Sequence, residues 1–270
     1  MSQPFRLNKE GLINRNKKIS FTFNGKKLFG YEGDTIASAL IANGIHLVGR
    51  SFKYHRPRGF FGAGVEEPNA KLQVEFNGHS EPNVNATEME LVEGLSATSQ
   101  NCWPSVNFDI GAINNFLKMF FPAGFYYKTF MWPKSFWYKI YEPFIRKAAG
   151  LGVASIEKDK ERYEHKFEYC DLLVTGSGPS GLASAYAAAK NGAKVILAED
   201  KPRFGGTLLT DDVSIDNLSG KDWAEKIITE LKSMPNVTVK NRSQVFGYYD
   251  HNMLVMFERV SDHLEKKSKF

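Results

Sequence analysis

The sequence predicts two folded domains in series, an α+β domain and then an α/β domain. Residues 19–92 carry a hairpin signal, a short capped helix and further strands, the order of a β-grasp domain. Residues 171–199 read strand, glycine-rich turn, helix, strand and acid, the opening of a Rossmann-like dinucleotide-binding domain. An aromatic-dense stretch separates the two. The expected boundaries are 1–100 for the β-grasp domain, 101–168 for an aromatic-rich connecting and packing segment, and 169–270 for an incomplete dinucleotide-binding domain.

The 270 residues suffice for two domains of ordinary size. The formal charge of +5 is mildly basic, and the basic residues are scattered rather than blocked. That pattern suits a partner subunit or an anionic cofactor better than nucleic acid. The densest basic run, Lys266, Lys267 and Lys269, is expected to be solvated. Cys102 and Cys170 form no C-x-x-C and suggest no disulfide framework, so a reducing cytoplasm is expected. The first eighteen residues are polar and basic, expected as an extended arm and not a signal peptide. No apolar run approaches the ~20 residues of a membrane helix. Neither nucleic acid nor a membrane is expected as a partner.

In the first domain, Ile19, Phe21 and Phe23 alternate with polar residues and read as a strand. Asn24-Gly25 is a strong hairpin signal, and 27–31 is the returning strand. Gly33-Asp34-Thr35 then caps a helix over 36–42 with Ile36, Ala39 and Leu40 inward, and Asn43-Gly44 stops it. Further strands are expected over 71–75 and 84–92.

The piece GDTIASALIANGI, residues 33–45, resembles the matching segment of plant-type 2Fe–2S ferredoxins, where a cysteine-rich loop follows and its thiolates hold the cluster. Here the loop expected to correspond, residues 48–62, contains no cysteine, so no iron–sulfur cluster is expected despite the ferredoxin-like scaffold. His46 and His55 are too isolated for a metal site and read as surface or hydrogen-bonded histidines. The loop is instead basic and aromatic: Arg50, Lys53, Arg56 and Arg58 alternate with Phe52, Tyr54, Phe60 and Phe61. That mixture suits base stacking, a partner subunit anchored by arginines, or a loop folded on its own protein.

Within residues 101–150 no clean period governs the aromatics, among them Phe116, Phe120, Phe121, Phe125, Tyr126, Tyr127, Phe130, Trp132, Phe136, Trp137, Tyr138, Tyr141 and Phe144. So much apolar surface either wraps the two domains together or meets another chain. Asp109, Glu142 and the missing amphipathic face argue against a membrane-surface belt. Residues 152–168 are charged and read as a partly extended linker.

In the second domain, Leu172-Leu173-Val174 reads as a buried parallel strand. Gly176, Gly178 and Gly181 then form G-x-G-x-x-G. The first permits the tight turn, the second lets a pyrophosphate approach the backbone, and the third allows close helix–strand packing. The following helix offers free N–H groups and its positive dipole end to phosphate. Asn191-Gly192 ends that helix, and a strand over 194–198 leads to Glu199, placed where a carboxylate accepts both ribose hydroxyls and disfavours NADP. Pro179 and Ser180 lie within the loop, and Gly205, Gly206 and Thr207 follow the acid, where a double glycine lets backbone approach a bound dinucleotide. The plain alternative is a glycine-rich turn without a ligand. A helix over about 221–234, a third parallel strand over 236–240 and a hairpin of 243–249 with 253–260 complete the chain. A β-meander after the third strand is the pattern of flavoprotein-type FAD/NAD(P)-binding domains rather than plain dehydrogenases.

Four long words carry a resemblance over the whole chain: SFKYHRPRG at 51–59, PAGFYYKTFMWP at 122–133, VTGSGPSG at 174–181 and VFGYYDH at 245–251. With them the chain resembles the N-terminal part of the alpha subunit of heterotetrameric sarcosine oxidase. Hydroxyproline and opine dehydrogenase complexes have alpha subunits of similar opening architecture. The resemblance implies an enzyme complex that oxidatively demethylates sarcosine to glycine, with hydrogen peroxide and one-carbon transfer to tetrahydrofolate. It implies NAD on the glycine loop, held through Gly176, Gly178, Gly181, Glu199 and Gly205-Gly206, and a flavin on or shared with a partner beta subunit. It also implies a folate domain beyond Phe270, so the chain is expected to be a fragment or split gene product, inactive alone. No Ser-His-Asp set, paired carboxylates or His/Cys cluster points to catalysis, so no catalytic residue and no metal ligand is assigned. Two other readings stay open: a non-catalytic assembly module of a related complex, and an FAD-dependent reductase of the two-dinucleotide type.

Overall fold

The computed structural model describes the chain apart from residues 1, 2, 10, 121–123, 125–129, 151, 159–162, 262 and 264–270. It divides into two compact units, Met1–Glu161 and Arg162–Phe270.

The first unit is built on β1 (Asn14–Phe23) and β2 (Lys26–Glu32), joined by Asn24 and Gly25, both at positive φ (49° and 77°). Two such residues form the turn whose twist matches antiparallel strands. Helix α1 (Ile36–Ala42) follows, its N-cap Thr35 and Ser38 capping each other reciprocally. Its Ile36, Ala39 and Leu40 are buried, as their spacing predicts. A two-residue ladder, β3 (Gly49–Arg50) with β4 (Pro57–Arg58), shapes the basic loop. Strands β5 (Lys71–Phe76), β6 (His79–Asn85) and β7 (Ser96–Ser99) complete a five-stranded sheet of order β2-β1-β7-β5-β6, with β1 and β7 parallel. One face of this sheet and α1 enclose a core of Phe21, Ile36, Leu40, Val48, Leu72 and Leu95.

Two expectations are corrected here. The strand expected over 84–92 is instead β6 with an excursion after it. Asn77-Gly78, both at positive φ, turn the chain early and start β6 at His79. Ala86 and Leu91 then fill the core from outside the ladder, where Leu91 N–H bonds the Asp34 carbonyl. The arm expected over 1–18 is tied down. Arg6 pairs with both oxygens of Asp34 at 2.8 and 2.7 Å, and the Phe5 ring meets His46 edge-on at 4.9 Å.

The aromatic segment runs through a turn at Ile110–Ala112, α2 (Ile113–Phe116), a π-helical turn at Trp137–Tyr141 and α3 (Glu142–Ala149). Phe116, Phe120, Trp132, Tyr138 and Phe144 are exposed, whereas Phe121, Phe125, Tyr126 and Tyr127 lie outside the described residues, as does the Lys266–Lys269 tail. The described part of 152–158 and 163–168 has no regular structure.

The second unit centres on a parallel sheet of order β12-β9-β8, formed by β8 (Leu172–Thr175), β9 (Val195–Ala198) and β12 (Val237–Lys240). Every residue of the central β9 is buried. Strand β8 is at the edge, so Leu172 is exposed where a buried strand was expected, and Val174 alone is buried. Helices α4 (Pro179–Lys190) and α5 (Gly220–Ser233) pack Leu182, Ala185, Trp223, Ile227 and Leu231 around the sheet. Between them a hairpin, β10 (Ser214–Ile215) with β11 (Leu218–Ser219), precedes the Ser219 cap of α5. Strands β13 (Ser243–Tyr249) and β14 (Met253–Glu258) form the expected hairpin across 250–252.

Candidate functional site

The glycine loop connects β8 to α4. Gly176 sits at φ +89° and donates to the Ala198 carbonyl at 2.7 Å, fixing the turn against β9. Gly178 is the N-cap of α4, and no side chain caps that helix. Pro179 occupies its first position, where the missing N–H costs nothing, and Ser180 is exposed beside it. A Cβ on Gly181 would stand 2.0 Å from the Gly176 carbonyl oxygen, so that residue is required by packing. A Cβ on Gly176 or Gly178 would meet nothing within 4 Å, so the space over both is open.

The structure brings the second glycine pair to the first. Gly205 (φ +126°) donates to the Ser177 carbonyl at 3.1 Å and to its Oγ at 3.0 Å. A Cβ on Gly206 would approach the Gly178 Cα at 3.0 Å. Thr207 is exposed in the turn Gly206–Leu209 that follows.

Glu199 stands at the end of β9, 4% exposed. Its Oε2 accepts the Ser177 N–H at 2.8 Å and the Ser177 hydroxyl at 2.5 Å, and its Oε1 accepts the Lys201 N–H at 3.1 Å. Burial pushes this carboxyl up, but hydrogen bonds with the Asp200 side chain, Ser177 and Lys201 outweigh it and hold it below the usual carboxylate range. Ser177 was missed from the sequence. It is fully buried and joins the carboxylate, the glycine loop and Gly205. Its one visible signal is a hydroxyl at the variable position between two loop glycines.

These parts fit a dinucleotide. An uncapped helix start, two glycines facing open space and an ionised carboxylate one strand away suit a pyrophosphate and a ribose.

In the first unit the basic loop is tied to its own chain. Arg50 donates to the Val106, His55 and Asn107 carbonyls at 2.8, 3.2 and 3.4 Å, and Arg56 to Asn115 Oδ1 at 2.9 Å. His55 Nδ1 lies 2.6 Å from Asp109 Oδ2, a hydrogen-bonded histidine. Among the described residues, no group of three or more His, Cys, Asp or Glu is placed to hold a metal. Burial pushes both free thiols, Cys102 and Cys170, up in pKa, away from the reactive thiolate. Among the described residues no helix is long and apolar enough to cross a membrane.

Fold and site together define a class: a ferredoxin-like β-grasp unit joined to a dinucleotide-binding unit of the flavoprotein type. The family of 2Fe–2S iron–sulfur cluster binding domains matches residues 16–102, and that of FAD dependent oxidoreductases matches residues 171–250. The chain is similar, over nearly its whole length, to the N-terminal region of the sarcosine oxidase alpha subunit. It is 55% identical to the Rhizobium meliloti subunit over 97% of this chain and 26% of the relative, and 32% identical to that of Corynebacterium sp. (strain U-96) over 99% and 24%. The chain thus spans about a quarter of the length of these curated relatives. Among solved structures, L-proline dehydrogenase from P. horikoshii superposes with a TM-score of 0.57 over 95% of this chain and 39% of its own. At 18% identity that likeness speaks for the fold alone.

A 2Fe–2S cluster does not fit this chain. It needs four ligands, of which at least two are thiolates, and residues 16–102 contain one cysteine, Cys102.

Proposed function

We propose that this chain is the dinucleotide-holding N-terminal portion of a sarcosine oxidase-type alpha subunit. The whole complex would oxidatively demethylate sarcosine to glycine, producing hydrogen peroxide and passing a one-carbon unit to tetrahydrofolate. Glycine loop residues Gly176, Gly178 and Gly181 hold the pyrophosphate, the N–H groups of Ser180 and Gly181 face it, and Gly205, Gly206 and Thr207 close over it. Glu199 accepts the ribose hydroxyls. The nucleotide in this reading is NAD. The chain contributes binding rather than catalysis, and a flavin-bearing beta subunit in a cytoplasmic hetero-oligomer supplies the redox centre. The observation that carries the reading is the convergence of Gly205-Gly206 and Glu199 on the glycine loop, within a chain 55% identical to a sarcosine oxidase alpha subunit.

A second reading places FAD in the same site, favoured by the match of residues 171–250 to FAD dependent oxidoreductases. Identifying the nucleotide released from the complex, by mass spectrometry and absorbance, separates the two. NAD supports the first reading and FAD the second. An empty site in an active complex would make the chain an assembly module.

A further inference from the structure

The first unit has the fold of a cluster-binding domain without thiolates to hold a cluster, and one buried side chain stands at the place in question. Glu67 is 1% exposed. Its Oε2 accepts the N–H groups of Phe61 and Gly62, both at 2.5 Å. Its Oε1 accepts those of Asn69 at 2.7 Å and Ala70 at 3.2 Å. Four backbone donors from the two ends of one loop thus converge on a single carboxylate. Burial pushes the carboxyl up, but these N–H groups outweigh it and keep it ionised below the usual range.

The spacing is that of a cluster loop. Plant-type ferredoxins place three thiolates as C-x4-C-x2-C, with a fourth further along. This chain reads Gly62, four residues, Glu67, two residues, Ala70. The returning chain brings Thr87 to the same loop. Its hydroxyl donates to the Gly64 carbonyl at 2.8 Å, and the neighbouring Ala86 N–H bonds the Ala70 carbonyl at 3.0 Å. Ala70 and Thr87 are both buried. The cysteine-free loop read from the sequence as 48–62 therefore ends where the relevant loop begins.

Converging backbone N–H groups make an anion-binding nest, a device used at iron–sulfur sites because the cluster and its thiolates are anionic. Such donors cannot be left empty in a buried place. We propose that Glu67 is an internal substitute for a 2Fe–2S cluster. The loop 61–70 keeps the nest of an iron–sulfur domain, fills it with its own carboxylate, and holds a permanent structural anion with no redox function.

The test is to rebuild the ligand set in the full chain with Gly62→Cys, Glu67→Cys, Ala70→Cys and Thr87→Cys, then reconstitute anaerobically with ferric iron and sulfide, two Fe(III), two sulfides and four thiolates making the oxidised cluster with no change of oxidation state. The expected result is about two irons and two sulfides per chain with thiolate-to-iron absorption. The triple variant that retains Glu67 is expected to take up none, because it offers three thiolates only and the carboxylate, held by its four N–H groups, is not released to iron. Equal iron in both variants, or none in a quadruple variant that remains folded by circular dichroism, overturns the proposal. Should the quadruple variant fail to fold, Glu67→Gln decides. The amide cannot accept four N–H groups, so the unfolding midpoint of the first unit falls clearly at pH 7 and its acid dependence flattens. A midpoint and pH profile equal to the parent's would overturn the proposal.

Discussion

Ser177 and Glu199, twenty-two residues apart, are locked together, the serine donating both its hydroxyl and its amide to one carboxylate oxygen at 2.5 and 2.8 Å. The glycine loop and the acid at the end of β9 are therefore one mechanical piece. Moving either moves both.

Glu199→Ala is expected to release the nucleotide and also to leave the buried Ser177 amide unsatisfied, at about 1–3 kcal/mol. Glu199→Gln keeps the shape and isolates the charge. Because the folded carboxyl lies below its ordinary value, its stabilisation is present above the unfolded value of about 4.3. It is lost as pH falls through the folded value. Acid titration of unfolding should therefore be shallower in Glu199→Gln than in the parent.

Two loop glycines should respond in opposite ways. Gly181→Ala places a methyl 2.0 Å from the Gly176 carbonyl oxygen, so the second unit should lose about 1–3 kcal/mol or more. Gly178→Ala meets no protein atom within 4 Å, so thermal unfolding of the apo chain should match the parent. Its nucleotide affinity should fall by on the order of tenfold, about 1.4 kcal/mol, as read by equilibrium dialysis.

Arg6→Ala removes the partner of a fully buried Asp34 carboxylate. Breaking such a pair from one side costs about 3–5 kcal/mol. Here Ser38 Oγ and the Tyr31 N–H still serve Asp34, at 2.7 and 2.8 Å, so the lower end is expected. Calorimetry should show the transition of the first unit shifted down and that of the second unchanged.

Lys240 bridges Glu168 at 3.2 Å and Glu258 at 3.0 Å. Burial pulls its ammonium down, but the bonds to the two glutamates outweigh this and raise it above the usual lysine value. A raised group stabilises fully below its unfolded value of about 10.4. That contribution disappears as pH rises through the folded value. Lys240→Met should therefore flatten the alkaline limb of unfolding, as read by the midpoint against pH.

Much of the fold was legible because its signals act within a few residues. Asn24-Gly25 sets a turn by positive φ, Thr35 caps a helix through its own hydroxyl, and Gly181 is demanded by a carbonyl five residues away. The glycine loop, Glu199 and the succession of strand, turn, helix and strand that carries them follow from such local rules. Tertiary structure alone decided the rest. Ser177 became a clamp, Arg6 found Asp34 twenty-eight residues on, and the chain left the sheet after Asn85 to pack Leu91 into the core. Glu67 stands at the spacing of a cluster loop, but nothing in its residue type marks the role. Its role exists because the path of the loop aims four N–H groups at one buried point. Turns and caps are properties of neighbouring dihedrals. The need for an anion at that point is a property of where a distant return of the chain closes the loop off from water.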